Sequence, residues 1–360
     1  MAVIGGGYGG FAVAKGLDEF AAVILVEPRD AFVHNVAALR ALVDPDWLPS
    51  IFLPYDRLLA NGRVVQARAV EVDAGRVLLS TGEELSPDYI VLATGSTYPY
   101  PAKTDTDDTA AAISHYRHSH EELVRADRIL IVGAGPTGLE LAGEIDARWP
   151  EKQITILEPE PDVLAGPYKQ ELRDEVRRQL EQRGVEFVLG DALADEPENP
   201  PARFEPFAVP TGTGRTIEAD IWFRCYGLRP VSEYLSGDLA GTRQADGSIE
   251  VTQTLQVKGQ PDMFALGDVA AADLKGAGRA SHQAEVVVAN IRALTDGNEL
   301  QDYEPSPPAI VIPLGPTGGA SELPSQAEID GAEQTAAIKG SHLFIERYRE
   351  LFGLAESATH

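Results

Sequence analysis

Two stretches of the chain share one pattern of apolar and polar positions. Each begins with a short β-branched run, passes through a glycine-rich turn into an amphipathic helix, and returns to an apolar run that ends in an acid. The first stretch spans Ala2–Glu27 and the second spans Arg128–Glu158. A strand, a turn, a helix and a second parallel strand form a βαβ unit, and both stretches have the length of a mononucleotide-binding half. The pattern therefore predicts two α/β domains.

The remaining pattern predicts how these domains are arranged along the chain. Helices are predicted at Asn35–Val43, Lys169–Arg183, Ser281–Leu294 and Glu333–Leu354. A hairpin is predicted at Arg76–Leu85, a strand at Asp88–Leu92 and a late strand segment at Thr252–Asp268. Because the late strand segment resembles a return to the first unit, we predict that the first domain has two parts, residues 1–108 and 251–300. The second domain, residues 109–250, is nested between them, and residues 301–360 form a small C-terminal α+β region.

Each βαβ unit carries glycines at the spacing that dinucleotide binding requires. They are Gly5, Gly7 and Gly10 in the first unit, and Gly133, Gly135 and Gly138 in the second. The first glycine allows a tight turn, the second lets the backbone approach a pyrophosphate, and the third lets the helix pack closely. The acids Glu27 and Glu158 end the next strands, where a carboxylate accepts hydrogen bonds from ribose hydroxyls. Glycine loops also serve as plain turns, but the whole arrangement favours nucleotide binding.

Two nucleotide sites in one chain indicate a tightly held flavin and an exchangeable nicotinamide, because hydride transfer needs a donor and an acceptor. A third element agrees: an apolar strand ends at Gly267 and Asp268, where an acid can bind the ribityl chain of FAD. An ordinary Gly-Asp turn is the alternative for this element. Glu158 favours the free 2′-hydroxyl of NADH over the 2′-phosphate of NADPH. We therefore expect FAD and NADH, with NADPH as the less favoured co-substrate.

The charge and the residue counts exclude several function classes. The net charge of -26 repels nucleic acid and anionic lipid. No apolar run approaches the roughly 20 residues of a membrane-spanning helix, and the chain enters its first strand without a leader. We therefore expect a cytoplasmic protein. Because only about three residues are left for the first strand, against a usual five or six, we also expect that the natural start lies a few residues upstream. The seven histidines lack metal-ligand spacing and Cys225 stands alone, so neither a metal site nor a disulfide is expected.

Several segments resemble the pyridine nucleotide-disulfide oxidoreductase superfamily over about residues 1–300. They are Val3–Gly10, Ile90–Gly95, Ile131–Glu140, Tyr226–Pro230 and Phe264–Asp268. Within that superfamily, His34–Ala41 and Lys339–Phe344 resemble the apoptosis-inducing-factor-like branch, which includes ferroptosis suppressor protein and is related to type II NADH:quinone dehydrogenases. The resemblance implies two nested Rossmann-type domains in three layers. It also implies reduction of quinones by NAD(P)H through FAD.

The resemblance also assigns roles to individual residues. The expected FAD contacts are Gly5, Gly7, Gly10, Glu27, Arg40, Ala69, Thr94, Gly95, Gly267 and Asp268. The expected NADH contacts are Gly133, Gly135, Gly138, Glu158 and Gly227, and Glu140 is expected to orient the nicotinamide.

Four interpretations have plain structural alternatives. His34 either donates a proton during quinone reduction or is a core residue. Arg40 either favours the reduced flavin by its charge or pairs with a carboxylate. His282 and Gln283 either line the acceptor site or begin an ordinary helix. The apolar stripe near the C-terminus either touches a membrane surface or packs in the core or a homodimer, and packing is favoured because few basic residues accompany it.

One departure from the superfamily narrows the chemistry. Disulfide reductases carry CxxxxC, and peroxide- or oxygen-reducing relatives a single cysteine, where this chain has Asn35–Ala41. Disulfide, peroxide and sulfenate chemistry therefore have no nucleophile here, and Cys225 is expected to be a buried structural thiol. We predict that a hydride passes from NADH to flavin N5 and that electrons then pass to a quinone-like acceptor. The alternatives are a reductase of a small carrier such as ferredoxin or rubredoxin, and an NADH-responsive redox sensor of the apoptosis-inducing-factor type.

Overall fold

The computed structural model describes residues 1–354. The elements up to residue 100, in chain order, are β1 (Ala2–Ile4), α1 (Tyr8–Leu17), β2 (Ile24–Glu27), β3 (Ala31–Val33), α2 (Ala38–Val43), α3 (Leu48–Ile51), β4 (Phe52–Pro54), β5 (Arg63–Gln66), β6 (Ala69–Asp73), β7 (Arg76–Leu79), β8 (Glu84–Leu85), β9 (Ile90–Leu92) and β10 (Ser96–Thr97).

The next elements are α4 (Thr109–Arg125), β11 (Arg128–Val132), α5 (Pro136–Arg148), β12 (Gln153–Glu158), α6 (Gln170–Gln182), β13 (Glu186–Leu189), β14 (Phe207–Pro210), β15 (Thr216–Ala219), β16 (Ile221–Arg224) and β17 (Arg229–Pro230). The last are β18 (Met263–Ala265), α7 (Ala277–Asp296), β19 (Ile310–Leu314), β20 (Gly318–Glu322), α8 (Ala332–Thr335) and α9 (Ile345–Leu351).

The first domain is built on a five-stranded parallel sheet with the order β18-β9-β1-β2-β5. Its central strand is buried on both faces, as parallel strands usually are. Val3 packs with α1 and α7, whereas Ala2 and Ile4 pack with the three-stranded sheet β6-β7-β8. The three predicted layers are therefore present.

The second domain is built on a four-stranded parallel sheet with the order β13-β12-β11-β16. Ile129 and Ile131 pack with α5 and α6, while Leu130 and Val132 face the hairpin β14–β15. Because β18 follows this sheet in the chain but pairs with β9, the second domain is nested in the first, as predicted. The short antiparallel pair β10–β17 joins the two domains. The individual domain limits given above stay a prediction.

The C-terminal region spans both domains. Hairpin β19–β20 packs on α5 and α6 of the second domain, and α9 packs on the first. The predicted continuous helix over Glu333–Leu354 is wrong: a π-helical turn at Ala336–Gly340 follows α8, and Leu343 and Phe344 adopt φ angles of 46° and 60°. An α-helix cannot continue through residues with positive φ.

The tail's apolar stripe packs within the chain itself. Phe352 is completely buried, Leu343 and Tyr348 are nearly so, and Phe352 lies 5.0 Å from the ring of Phe11 on α1. This favours core packing among the alternatives stated above. Residues 355–360 lie outside the described part.

Most other predicted elements are present with shifted ends. The hairpin β7–β8 forms, Lys169–Arg183 contains α6, and Ser281–Leu294 lies inside the longer α7. Asn35–Val43 begins as a 3₁₀ turn and continues as α2. Among residues 1–354, no helix combines the length and the apolar character needed to cross a bilayer.

Candidate functional site

The first glycine loop packs tightly against the protein at its first and last glycines, and it is open at the middle one. A Cβ on Gly5, whose φ is 100°, would lie 2.5 Å from the carbonyl oxygen of Ala93. A Cβ on Gly10 would lie 1.8 Å from the carbonyl oxygen of Gly5, so α1 rests directly on the loop. A Cβ on Gly7 would meet nothing within 4 Å. The open position stands at the N-terminus of α1, where a pyrophosphate is favourably bound.

The second glycine loop repeats this geometry. The Cβ atoms added to Gly133 and Gly138 would lie 2.6 Å from the oxygen of Cys225 and 1.9 Å from the oxygen of Gly133. Gly135 again faces open space. The neighbouring Cys225 thiol is buried, and burial raises its pKa to about 12. Its position agrees with a structural thiol rather than a nucleophile.

Each predicted ribose-binding acid lies beside its own glycine loop. Glu27 Oε2 accepts a hydrogen bond of 2.6 Å from the backbone N–H of Gly6 at the end of β2. Glu158 Oε2 accepts one of the same length from Ala134 at the end of β12. Both carboxylates therefore stand at the carboxyl ends of parallel strands, next to the open glycine, which is where Rossmann folds hold the nucleotide.

A cavity of about 640 Å³ brings together residues that the sequence predicted to bind FAD. Gly5, Glu27, Ala69 and Thr94 all line it, although they come from four separate elements. The Thr94 hydroxyl donates to the carbonyl oxygen of Val231 at 2.6 Å, which ties this wall to the segment after β17. The volume and the mixture of apolar and charged walls suit the adenosine half of a dinucleotide.

Asp268 belongs to a polar network that the sequence did not predict. Its Oδ2 accepts a 2.6 Å hydrogen bond from Ser96, and its Oδ1 accepts one of 3.1 Å from the backbone of Gly276. Lys103 donates to Ser96 Oγ at 2.8 Å and lies 3.6 Å from the Asp268 carboxylate. Burial lowers the pKa of Lys103, and the charge of Asp268 opposes that shift. Lys103 was not among the predicted site residues, yet it lines the cavity.

The two residues predicted to line an acceptor site lie in the second turn of α7. Gln283 is 2% exposed, and its Oε1 accepts a 2.6 Å hydrogen bond from the backbone of Gly267. This contact fixes the turn before Asp268 and favours a supporting role for Gln283. His282 is half-buried, and its ring centroid lies 5.3 Å from that of Tyr303.

Two ion pairs, one buried and one partly buried, connect the two domains and the C-terminal region. Arg40 on α2 makes two hydrogen bonds, of 2.9 and 2.7 Å, to the carboxylate of Glu144 on α5. One turn earlier on α5, Glu140 accepts a 2.7 Å hydrogen bond from Lys339. Burial raises the pKa of Glu140, and the charge of Lys339 opposes that shift. Arg40 thus pairs with a carboxylate, the second of its predicted alternatives.

His34 lies in an aromatic cluster and is completely buried. Its Nε2 lies 2.7 Å from the carbonyl oxygen of Leu343, and its Nδ1 lies 3.1 Å from the Tyr8 hydroxyl. Because a carbonyl only accepts, Nε2 carries the proton. Burial lowers the pKa of His34 to about 4, so the ring is neutral at pH 7. This packing favours the core role among its two alternatives.

Gly95 and Gly227 flank the β10–β17 link between the domains. Their φ angles are 66° and 99°, and added Cβ atoms would meet nothing within 4 Å. The Oδ1 atom of Asn35, by contrast, is buried without a hydrogen-bond partner in the described protein. The open first glycine loop and the cavity beside it together fit a bound FAD. In residues 1–354, no cluster of three or more His, Cys, Asp or Glu side chains is arranged to hold a metal ion.

The chain is similar to known proteins. The pyridine nucleotide-disulphide oxidoreductase family matches residues 1–289. Apoptosis-inducing factor homolog B of Dictyostelium discoideum is 30% identical over 367 residues, which cover 96% of this chain and 95% of that protein. Ferroptosis suppressor protein 1 of Taeniopygia guttata is 33% identical over 331 residues, which cover 90% of this chain and 88% of that protein.

Two solved structures show the same fold. The ferredoxin reductase for the CYP199A2 system from Rhodopseudomonas palustris superposes with a TM-score of 0.66 at 20% identity, covering 85% of this chain and 78% of the other. The covalent putidaredoxin reductase–putidaredoxin complex gives a TM-score of 0.66 at 22% identity, with coverages of 86% and 77%. With its two nested dinucleotide-binding domains, the chain belongs to the pyridine nucleotide-disulphide oxidoreductase family and is an FAD- and NAD(P)H-dependent oxidoreductase.

Proposed function

We propose that the protein oxidises NADH and delivers the electrons to a quinone-like acceptor. The observation that carries this proposal is the combination of two open nucleotide loops with the segment Asn35–Ala41, which has no cysteine where disulfide-reducing relatives carry theirs. The one thiol of the chain, Cys225, is buried. An acceptor that takes electrons without bonding to a protein sulfur therefore suits the chain best.

Bound FAD would supply the redox chemistry, because it accepts a hydride from a nicotinamide and passes electrons onward. Gly5, Gly7 and Gly10 would hold its pyrophosphate, with Glu27 at the adenosine ribose. Asp268 would hold the ribityl chain, and Ser96 and Lys103 orient its carboxylate. The cavity wall at Ala69 and Thr94 would receive the adenosine half.

The second domain would bind NADH on its open glycine loop. Glu158 stands at the end of β12, where its carboxylate accepts from both ribose hydroxyls and repels a 2′-phosphate. Gly227 leaves space at the link between the domains. These features support NADH over NADPH as the co-substrate.

Glu140 and Lys339 would act at the nicotinamide end of this site. Lys339 holds one carboxylate oxygen of Glu140, and its ammonium also donates to the carbonyl of Val311 at 3.2 Å. The Glu140 side chain keeps 14% of its surface open, enough for one hydrogen bond to a bound nucleotide. An ammonium has three N–H donors, so Lys339 retains one for a bound molecule. The pair would thus orient the nicotinamide without covalent chemistry.

Anaerobic mixing with NADH tests the proposal. The flavin absorbance should bleach within the mixing experiment, and a quinone should restore it on a second mixing. The Cys225→Ala variant should behave like the unmodified protein, since no thiol takes part. A flavin that stays oxidised with excess NADH would sink the proposal. Faster reoxidation by a small iron–sulfur protein than by any quinone would replace the quinone with a protein carrier.

A further inference from the structure

Helix α5 is fixed from three sides by contacts outside its own domain. Arg40 of the first domain donates two hydrogen bonds to Glu144, near the middle of α5. Lys339 of the C-terminal region donates one to Glu140, one turn earlier on the same helix. Between these two contacts, β19 packs so closely that a Cβ on Gly143 would lie 2.5 Å from the Cα of Leu314. The same helix begins at the glycine loop of the NADH site.

The Arg40–Glu144 pair is suited to fixing a position. Both side chains are about 95% buried, and the two parallel hydrogen bonds allow one relative orientation of guanidinium and carboxylate. The guanidinium also lies 5.0 Å from the ring centroid of Trp47, which restrains it from a second side. A buried ion pair adds little net stability, because desolvation offsets most of the attraction. Its geometric specificity is therefore the more important property.

We propose that the Arg40–Glu144 pair is a positioning device for hydride transfer. It holds α5 of the NADH domain against α2 of the flavin domain, and thereby sets the distance between the two bound nucleotides. The proposal rests on the proposed NADH oxidation. Hydride transfer is sensitive to small displacements, and a misplacement of about 1 Å can cost about 100-fold in rate. Neither residue needs to touch a nucleotide for this effect.

Two variants separate position from charge. Arg40→Lys keeps the positive charge but loses the two parallel hydrogen bonds. The double variant Arg40→Met, Glu144→Met replaces the pair with apolar side chains, a change that buried pairs often tolerate without loss of stability. For both variants we expect flavin reduction at saturating NADH to slow by roughly 10- to 100-fold. FAD content, NADH affinity and the flavin midpoint potential should stay unchanged.

Hydrogen exchange supplies a readout that does not depend on turnover. In the FAD-bound protein without NADH, the amides of α2 and α5 should exchange faster in the double variant than in the unmodified protein. Arg128→Met is the control, because Arg128 pairs with Asp220 at 2.7 Å at the start of β11, the end of the strand opposite the glycine loop. It should leave both the reduction rate and these amides unchanged.

Three results would overturn the inference. The first is a double variant that reduces its flavin within twofold of the unmodified rate. The second is a rate loss explained wholly by weaker FAD or NADH binding. The third is a shifted midpoint potential, which would assign Arg40 an electrostatic effect on the flavin instead. If the unmodified protein itself fails to bleach with NADH, the proposed function fails and the inference falls with it. If the unmodified protein bleaches and any of the three results is found, the inference alone fails.

Discussion

The substitutions Gly7→Ala and Gly10→Ala, both in the first loop, should affect different properties of the protein. Gly7 has a φ of -68°, which alanine adopts readily, and a Cβ there meets no protein atom within 4 Å. Gly10 is helical, and its Cβ would lie 1.8 Å from a backbone oxygen of Gly5. Gly7→Ala should therefore weaken ligand binding without destabilising the protein, while Gly10→Ala should destabilise the fold.

The expected magnitudes follow from these contacts. Without FAD, Gly7→Ala should be as stable as the unmodified protein or about 0.5 kcal/mol more stable, since alanine restricts the unfolded chain. With FAD, the methyl group should cost about 1–3 kcal/mol of binding, roughly a 5- to 150-fold rise in Kd. Gly10→Ala requires backbone movement and should cost at least about 3 kcal/mol of unfolding free energy. For a chain of this size, that lowers the Tm by roughly 4 °C.

The assay compares thermal unfolding of the FAD-free proteins with FAD titration of each. Gly135→Ala, in the open position of the second loop, is the matched control. It should keep FAD and lose NADH affinity. If Gly7→Ala binds FAD as tightly as the unmodified protein, the second glycine does not face the pyrophosphate and the assignment of the first loop to FAD is wrong.

Three further predictions concern ionisable groups. Lys339→Met removes the charge that opposes the raised pKa of Glu140, so that pKa should rise further. The acidic side of the pH profile of NADH oxidation should therefore move to higher pH. An unchanged profile would exclude Glu140 as the titrating group. His34 has a folded pKa of about 4 against an unfolded 6.5, so the unfolded chain binds more protons between these values and stability falls as pH drops through that window. His34→Gln should remove up to about 3 kcal/mol of this fall in the free energy of unfolding, measured by urea unfolding at pH 7 and 4.5. An equal fall between the two pH values in both proteins would contradict the burial argument. Glu158→Ala should weaken NADH binding by roughly 10-fold, the loss of a charge-assisted hydrogen bond, and leave NADPH binding unchanged or improved; equal losses for both nucleotides would exclude ribose discrimination.

The sequence predicted the parts of the site that depend on local geometry. Each glycine loop, its helix and the acid at the next strand end lie within about 30 residues, and the strand–turn–helix pattern dictates their relative positions. Glu27 and Glu158 therefore lie where the pattern predicted, beside Gly6 and Ala134. The nested order of the domains was also predicted correctly, because an apolar strand ending in Gly-Asp has few other uses after two such units.

The parts that depend on long-range packing were not predictable. Glu140 and Lys339 are 199 positions apart, and nothing local to either residue indicates the other. Lys103 lies in a polar stretch that favours a solvated linker, and only the fold turns it toward Asp268. The tail was predicted as one helix because its apolar spacing is helical. Anchoring of Leu343 to His34 instead breaks the helix and directs the chain from one domain to the other.

The nested topology constrains how the protein is made. On a ribosome, β1, β2, β5 and β9 emerge early, but β18, the strand that pairs with β9, emerges only after the whole NADH domain. The inserted domain can fold as a unit while the flavin domain still lacks Asp268 and α7. A nascent chain should therefore acquire its yellow colour only near the end of synthesis, and a chain released early should be colourless and should expose its unfinished sheet edge to aggregation.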